Sequence, residues 1–470
     1  MTAWGDVLAT IGPPLGGSTS RGARVAEVQS VARRPPAMAL DWRAAVLALA
    51  GVLLTFAAPV HRVDLLAIGV LATFVGVFWS PLVGPTLIGA SLPFFFFARQ
   101  IVGPLGVTPP GLVLMLTWLV VLVRFRRLSL AWPRTAYDLP LALFLVAALL
   151  SLLVTEYPLL SVRELRALIL EPVLFFWLLH VLRGSAPFAL AGFLVAATIT
   201  ALAAIAQIPL HVGGTTAEGV RRAQAWYPSA NHLALMLGRA LPFLLAAALG
   251  GLGRWLWLPV AIVGGGLLLT FSSGGWLGGT AAAMVVALVL GRRRLAVRAG
   301  AAAAAVLVVV SGLAIAGILP ERLSPLRQTS GLRLDLWLST LQMIRDRPVL
   351  GVGLDNFAYL YQQIYLREGA AAEPNLSHPH NWLLHFWVEL GLLGLVAFGG
   401  LLFRFGTLAR VALTQSSTRW VVAGASGAMA DVLSHGFIDN SYFVVDLAFL
   451  FWLALALVVN GRAKGRIDPT

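Results

Sequence analysis

The sequence contains no cysteine, and Lys464 is its only lysine. The first absence excludes disulfides and thiolate metal sites, and it leaves the compartment open. Charge is scarce as well: Asp, Glu, Lys and Arg make up 11% of the 470 residues. A soluble chain of this length needs far more charge to cover its surface. The short period-two segments of an outer-membrane barrel are missing, and so is any repeat of solenoid length. Met1 to about Pro36 is rich in Gly, Pro, Ser and Arg and holds no apolar run long enough for a signal peptide.

What is present is apolar sequence, 59% of the chain, with a mean hydropathy of +0.85. Continuous runs rich in Leu, Ala, Val and Gly point to an all-α polytopic membrane bundle of about 12–14 crossings. Spans are expected at 43–60, 64–80, 82–102, 110–124, 137–155, 163–182, 186–208, 231–250, 254–271, 274–291, 299–319, 383–404, 419–436 and 441–460. The sixth opens with Arg163, Glu164 and Arg166 and reads as starting in an interfacial helix. The organisation expected is a disordered cytoplasmic tail (1–36), a bundle (37–319) with an external loop at 209–230, and a large, partly helical external cap loop (320–382). The last spans (383–460) and a second cytoplasmic tail (461–470) follow.

The net charge is +14. In a soluble protein that would suggest nucleic acid. Here the arginines fall in short loops between apolar runs, where orientation in the bilayer accounts for them, and no nucleic-acid partner is expected. With the N-terminal tail in the cytoplasm, alternation also places Arg124 to Arg134, Arg183, Arg254, Arg292 to Arg298, Arg404 to Arg419 and Arg462 to Arg466 there. All are basic, so both termini are expected inside.

Arg221 and Arg222, in the first external loop, run against that trend. They read either as a solvated pair or as an anion site, since the planar guanidinium suits phosphate oxygens. Asn231 opens the next span and is a candidate N-cap; a helix N-terminus there adds partial positive charge. Ser330 to Trp337 opens an amphipathic helix with Leu332, Leu336, Leu341 and Ile344 on its apolar face. Arg333 and Asp335 on it are either surface features of a cap or site residues. Arg347-Pro348 ends the helix, and Gly351 and Gly353 allow close approach of backbone to a ligand. No strand precedes them, which excludes a dinucleotide fold.

His378, His380 and His385 cluster where the longest polar stretch meets an apolar run. Imidazoles at that boundary meet both water and a lipid-linked substrate. His-x-His raises metal binding, but no carboxylate accompanies the pair at a recognised spacing, so no metal or cofactor is expected. A general base is the more natural role near neutral pH; a capping or interfacial histidine is the alternative. His435 and Asp439-Asn440, between the last two spans, read as a hydrated turn; polar groups facing the same cavity are the alternative. Asp431 and Glu171 are the candidates for intramembrane charge, too few for a proton relay.

Three segments, in order, resemble the O-antigen ligase and O-antigen polymerase family. The first is Arg222 to Asn231, with Ala225 where Gly is usual and Ala230 where Pro is usual. The second is Arg333 to Trp337, continuing into Arg347-Pro348-Val349-Leu350-Gly351-Val352-Gly353 and Phe357. The third is His380-Asn381 with Gly391 and Gly394. Ser272-Ser273-Gly274 departs from the usual Ser-Arg-Gly, so one basic contact is missing. The resemblance implies a bacterial inner-membrane enzyme whose site faces the periplasm. It implies inverting, metal-independent transfer of a glycan from undecaprenyl diphosphate to an acceptor hydroxyl, with lipid A-core the first choice of acceptor. It casts His380 as general base and Arg222 and Arg333 as the cations that hold the diphosphate. Arg221, Tyr227, Asn231, His378, Asn381, Gly351 and Gly353 become candidates for substrate binding. Within the family, a polymerase or a protein O-oligosaccharyltransferase is the alternative. A lipid-linked glycan transporter is the reading from a different class, and it calls for polar groups within spans or broken helices in paired repeats.

Overall fold

The computed structural model describes residues 39–102, 105–124, 134–217, 219–318, 329–371, 373–414 and 419–460. The two expected tails and the first part of the cap loop lie outside the described residues.

The chain is all-α. Its helices are α1 (Trp42–Ala57), α2 (Val63–Trp79), α3 (Val83–Ser91), α4 (Pro109–Arg124), α5 (Asp138–Ser151), α6 (Pro158–Glu164), α7 (Glu171–Val181) and α8 (Ala186–Leu210). The second half adds α9 (Ala230–Leu249), α10 (Trp257–Leu269), α11 (Ser273–Val289), α12 (Arg293–Ile315), α13 (Thr329–Asp346), α14 (Trp382–Ala412), α15 (Arg419–His435) and α16 (Val445–Asn460). The described strands form two hairpins, β1 (Arg99–Val102) with β2 (Leu105–Val107) and β3 (Thr215–Ala217) with β4 (Val220–Arg222). An apolar chain in lipid must satisfy its backbone internally, which is why the runs become helices.

By length and composition α8, α9, α12 and α14 can each cross a membrane. Most other expected spans are apolar helices of 10–17 residues. On α12, Val306, Leu307, Val308 and Val309 are all exposed, as lipid-facing side chains would be. In the core, α11 and α9 both pack on α15, α8 packs on α3, α14 on α5 and α16 on α7.

Two expected spans differ. The third stops at Ser91; a 3-10 turn with Pro93 follows, then β1, whose Arg99 and Gln100 suit a hairpin better than lipid. The sixth is a broken helix: α6, then a π-helical turn (Leu165–Leu170), then α7. Pro172 has no amide to donate and would clash with the carbonyl four residues back. The wider turn relieves that clash, and the Leu168 carbonyl accepts the Tyr442 hydroxyl at 2.9 Å instead.

The cap has its own small core. Leu336, Met343, Ile344, Val352, Phe357, Leu360 and Tyr361 pack together with Val388 of α14. Leu336 and Ile344 are buried as expected, whereas Leu341 is 47% exposed and Met343 takes the inward position. Residue 341 is one step out of the helical register set by 336, 340 and 344. The buried Asn356 ties the cap to the α5–α6 loop, accepting from the Glu156 and Tyr157 amides and donating to Thr155 and Ser161.

The turn after α13 locks onto a break in α14. Gly391 has φ 68° and ψ −172°, a conformation that interrupts the helix. The Leu392 amide donates to the Pro348 and Val349 carbonyls, the Val352 amide to Val388, and the Trp387 indole to Pro348. A Cβ on Gly391 would collide with the Val349 carbonyl, and one on Gly351 with the Val388 carbonyl.

Candidate active site

His380 sits in the turn before α14 with φ 51°, a left-handed value uncommon for a side chain that large. Its amide donates to His378 Nδ1 at 3.3 Å, and its ring edges onto the His378 ring. Asn381 caps α14: its Oδ1 accepts from the Leu383 and Leu384 amides, and its Nδ2 donates to the Phe437 carbonyl. This cap also ties the turn to the loop between α15 and α16.

That loop supplies a partner for His380. His380 Nδ1 lies 3.2 Å from Asp439 Oδ1. Burial would raise the Asp439 carboxyl, but the hydrogen bond from His380 and the surrounding imidazoles outweigh it and hold the group far below its ordinary value. An ionised carboxylate only accepts, so the hydrogen on His380 Nδ1 points to it; in a neutral ring Nε2 then carries the lone pair. His378 is pushed well below its ordinary value by burial and by His380, which keeps it neutral.

The loop is fixed from several sides. Asp439 Oδ1 accepts the Asn440 amide, and Asn440 Oδ1 accepts from Tyr442 and Phe443. Arg239 Nη2 donates to the Ser441 carbonyl, the Trp452 indole donates to the Tyr442 hydroxyl, and the Trp382 amide donates to Gly436. The hydrated turn expected here is corrected: His435, Asp439 and Asn440 are all buried. Packing by α14 and α16 closes a segment whose composition reads as a turn.

Arg222, at the end of β4, is buried and held as a fork. Its Nε donates to the Thr270 carbonyl at 2.7 Å and its Nη2 to Asn231 Oδ1 at 2.6 Å. Asn231 is thus not the N-cap. Ser229 caps α9, its side chain accepting from the His232 amide, because Asn231 is already the second residue of the helix and is committed to Arg222. His232, next along α9, lies within electrostatic range of both His380 and Asp439. Arg333, on α13, interacts electrostatically with His435, which in turn interacts with Asp439. The Trp337 indole, one turn after Arg333, donates to the Pro379 carbonyl and fixes α13 against the histidine turn. His380 thus meets Asp439 directly and Arg333 is linked to it through His435, while Arg222 holds Asn231, the residue before His232.

Other sequence candidates stand apart. Neighbouring residues of a strand face opposite ways, and Arg221 turns to the Gly213 carbonyl at 2.9 Å and to His211. Tyr227 is buried, and its hydroxyl donates to Asp446 at 2.9 Å. Gly351 and Gly353 pack against α14 and against the Ser151–Thr155 segment.

The spans hold more charge than the sequence reading allowed. Asp431 pairs with Arg239, both almost fully buried, and Gly238 and Gly278 leave room for its carboxylate, where a Cβ would collide or crowd. Glu171 pairs with Arg166 at 3.4 Å. Sequence reasoning missed Asp439, His232 and Arg239. Only His232 carried a local signal, its place beside Asn231.

Among the described residues, His378, His380 and Asp439 form a group able to hold a metal ion. The carboxylate that the His-x-His spacing lacks in sequence is brought in by the fold.

Residues 258–399 match the family model of the O-antigen ligases. The match covers Arg333 and the whole histidine turn, while Arg222 and Asp439 lie outside it. It bears out the resemblance read from the sequence: the chain carries an O-antigen ligase family domain. The chain is also similar to an uncharacterized protein of Haemophilus influenzae, 34% identical over 73 residues. That stretch is 15% of this chain and spans 18% of the relative's length. Members of the family are membrane glycosyltransferases of the ligase or polymerase type, and the family together with the membrane-length helices points to a bacterial inner membrane.

Proposed function

We propose that this protein transfers a glycan from undecaprenyl diphosphate to an acceptor hydroxyl at the periplasmic face of the inner membrane. The observation that carries the reading is the His380 Nδ1 contact to Asp439 Oδ1 at 3.2 Å. It orients the ring and leaves Nε2 as the proton acceptor, the role a general base requires.

In the reaction, His380 Nε2 takes the proton of the acceptor hydroxyl as its oxygen attacks the anomeric carbon. The bond from that carbon to the diphosphate oxygen breaks, and the electron pair leaves on the diphosphate. Direct attack inverts the anomeric centre. Negative charge grows on the leaving oxygen, and fixed cations stabilise it most in a site shielded from water. Arg222 and Arg333 supply those cations and make the step metal-independent. Asn231 and Thr270 hold the Arg222 fork in place. Asp439 is a positioning residue.

The preferred acceptor is lipid A-core, which makes the protein an O-antigen ligase. The test is an assay with a synthetic polyprenyl-diphosphate oligosaccharide in the presence of EDTA, offering lipid A-core and a second lipid-linked oligosaccharide. Glycan on the core is the expected product. Lengthening of the lipid-linked glycan would make the protein a polymerase instead. Transfer to neither, with donor bound, would favour a protein acceptor or a transporter.

A further inference from the structure

We propose that His378, His380 and Asp439 form a transition-metal site, taking Zn2+ or a comparable ion such as Co2+ or Cu2+, whose occupation withdraws His380 from proton transfer. A ring nitrogen of each histidine and a carboxylate oxygen of Asp439 all lie within 4.8 Å of one another. That is the scale on which three ligands close around one ion at bonds of about 2.0–2.2 Å. The set is right for a borderline cation: two imidazoles and one carboxylate. His378 and Asp439 are buried while His380 is partly exposed, so the site is walled on two sides and open on the third. His232 faces the group from α9, and its buried Nδ1 has no hydrogen-bond partner among the described residues.

Two nitrogen ligands disfavour Mg2+, which prefers an all-oxygen octahedron. The site is therefore distinct from the Mg2+ clamp of many phosphoryl enzymes. Metal binding is independent of the transferase reading; only the inhibition rests on it. An ion ligated through one ring nitrogen of His380 leaves the ring's single proton on the other, so neither nitrogen keeps a lone pair for the acceptor's proton; occupation stops transfer and chelation restores it.

The full-length protein in detergent, stripped with EDTA and dialysed, tests this by titration with Co2+ and competition by Zn2+. One saturable site per chain is expected, with the visible absorption of low-coordinate Co2+. It should be lost in His378→Ala and Asp439→Ala and kept in His61→Ala and His211→Ala, whose histidines lie elsewhere. Should the first two variants misfold, Cu2+ electron paramagnetic resonance on the unaltered protein counts the nitrogens directly. Two or three coupled imidazole nitrogens support the site. No saturable binding, no imidazole coupling, or binding unchanged in folded His378→Ala and Asp439→Ala would overturn it. Zn2+ should abolish transfer reversibly, and Mg2+ should leave it unchanged. Metal bound without loss of transfer would sink the role of His380 as base while leaving the site.

Discussion

His380 and Asp439 are 59 residues apart in the chain and 3.2 Å apart in the fold. The contact joins the turn that opens α14 to the loop between α15 and α16. Both segments are over-determined by backbone hydrogen bonds, so the imidazole meets a carboxylate already fixed in place. His380 keeps a left-handed backbone at a cost of about 1–2 kcal/mol. Strain of that kind persists where neighbouring structure enforces it, and here it aims the ring.

Asp439→Asn should leave the protein folded and slow it severely. The amide can donate to Nδ1, which lets the imidazole adopt the wrong tautomer. A loss in kcat of about 10²–10⁴-fold is expected with KM for donor little changed. Steady-state kinetics with a fixed acceptor checks it. A kcat within a few-fold of the parent protein would remove Asp439 from the account.

Arg222→Lys should behave almost like Arg222→Ala. The guanidinium spans Thr270 and Asn231 as a planar fork, and an ammonium cannot make both contacts while facing a diphosphate. Each change should cost about 2–4 kcal/mol of transition-state stabilisation. Arg221→Ala, on the opposite face of the strand, should cost far less. Equal losses at both positions would argue for general charge rather than a built site.

Gly391→Ala should destabilise the whole cap. A methyl group there would meet the Val349 carbonyl at a backbone conformation that only glycine tolerates. The expected penalty is at least about 3 kcal/mol, seen as lower yield and a lower Tm. An unchanged melting profile would show that α14 is not broken at this residue.

Ala225→Gly should raise stability. Ala225 has φ 52°, a left-handed conformation that glycine adopts without steric cost. Relief of strain, less the entropy glycine gains in the unfolded chain, leaves up to about 1 kcal/mol. Thermal unfolding in detergent measures it, and a clear drop in Tm would contradict the assigned backbone.

The helices were legible because apolar runs are local, and so was the end of α13 at Arg347-Pro348. The broken sixth helix was half legible: Arg163, Glu164 and Arg166 set its start apart as interfacial, but the Tyr442 hydroxyl that completes the break comes from the far end of the chain. Asp439 was illegible for the same reason. Read locally, Ile438-Asp439-Asn440-Ser441 is a turn, and only packing by α14 and α16 buries it beside a histidine. Asn231 was wrong as a cap, because Ser229 sits better placed and Arg222 claims the amide oxygen. Arg239 hid within an apolar run, its partner Asp431 almost two hundred residues on.

The most direct measurement compares the unaltered protein with His380→Ala, both folded, in single-turnover transfer from a polyprenyl-diphosphate oligosaccharide with EDTA present. The account predicts full transfer by the first and a rate lower by at least about a hundredfold in the second, with donor binding retained. Comparable rates in the two would contradict the assignment of His380 as the base.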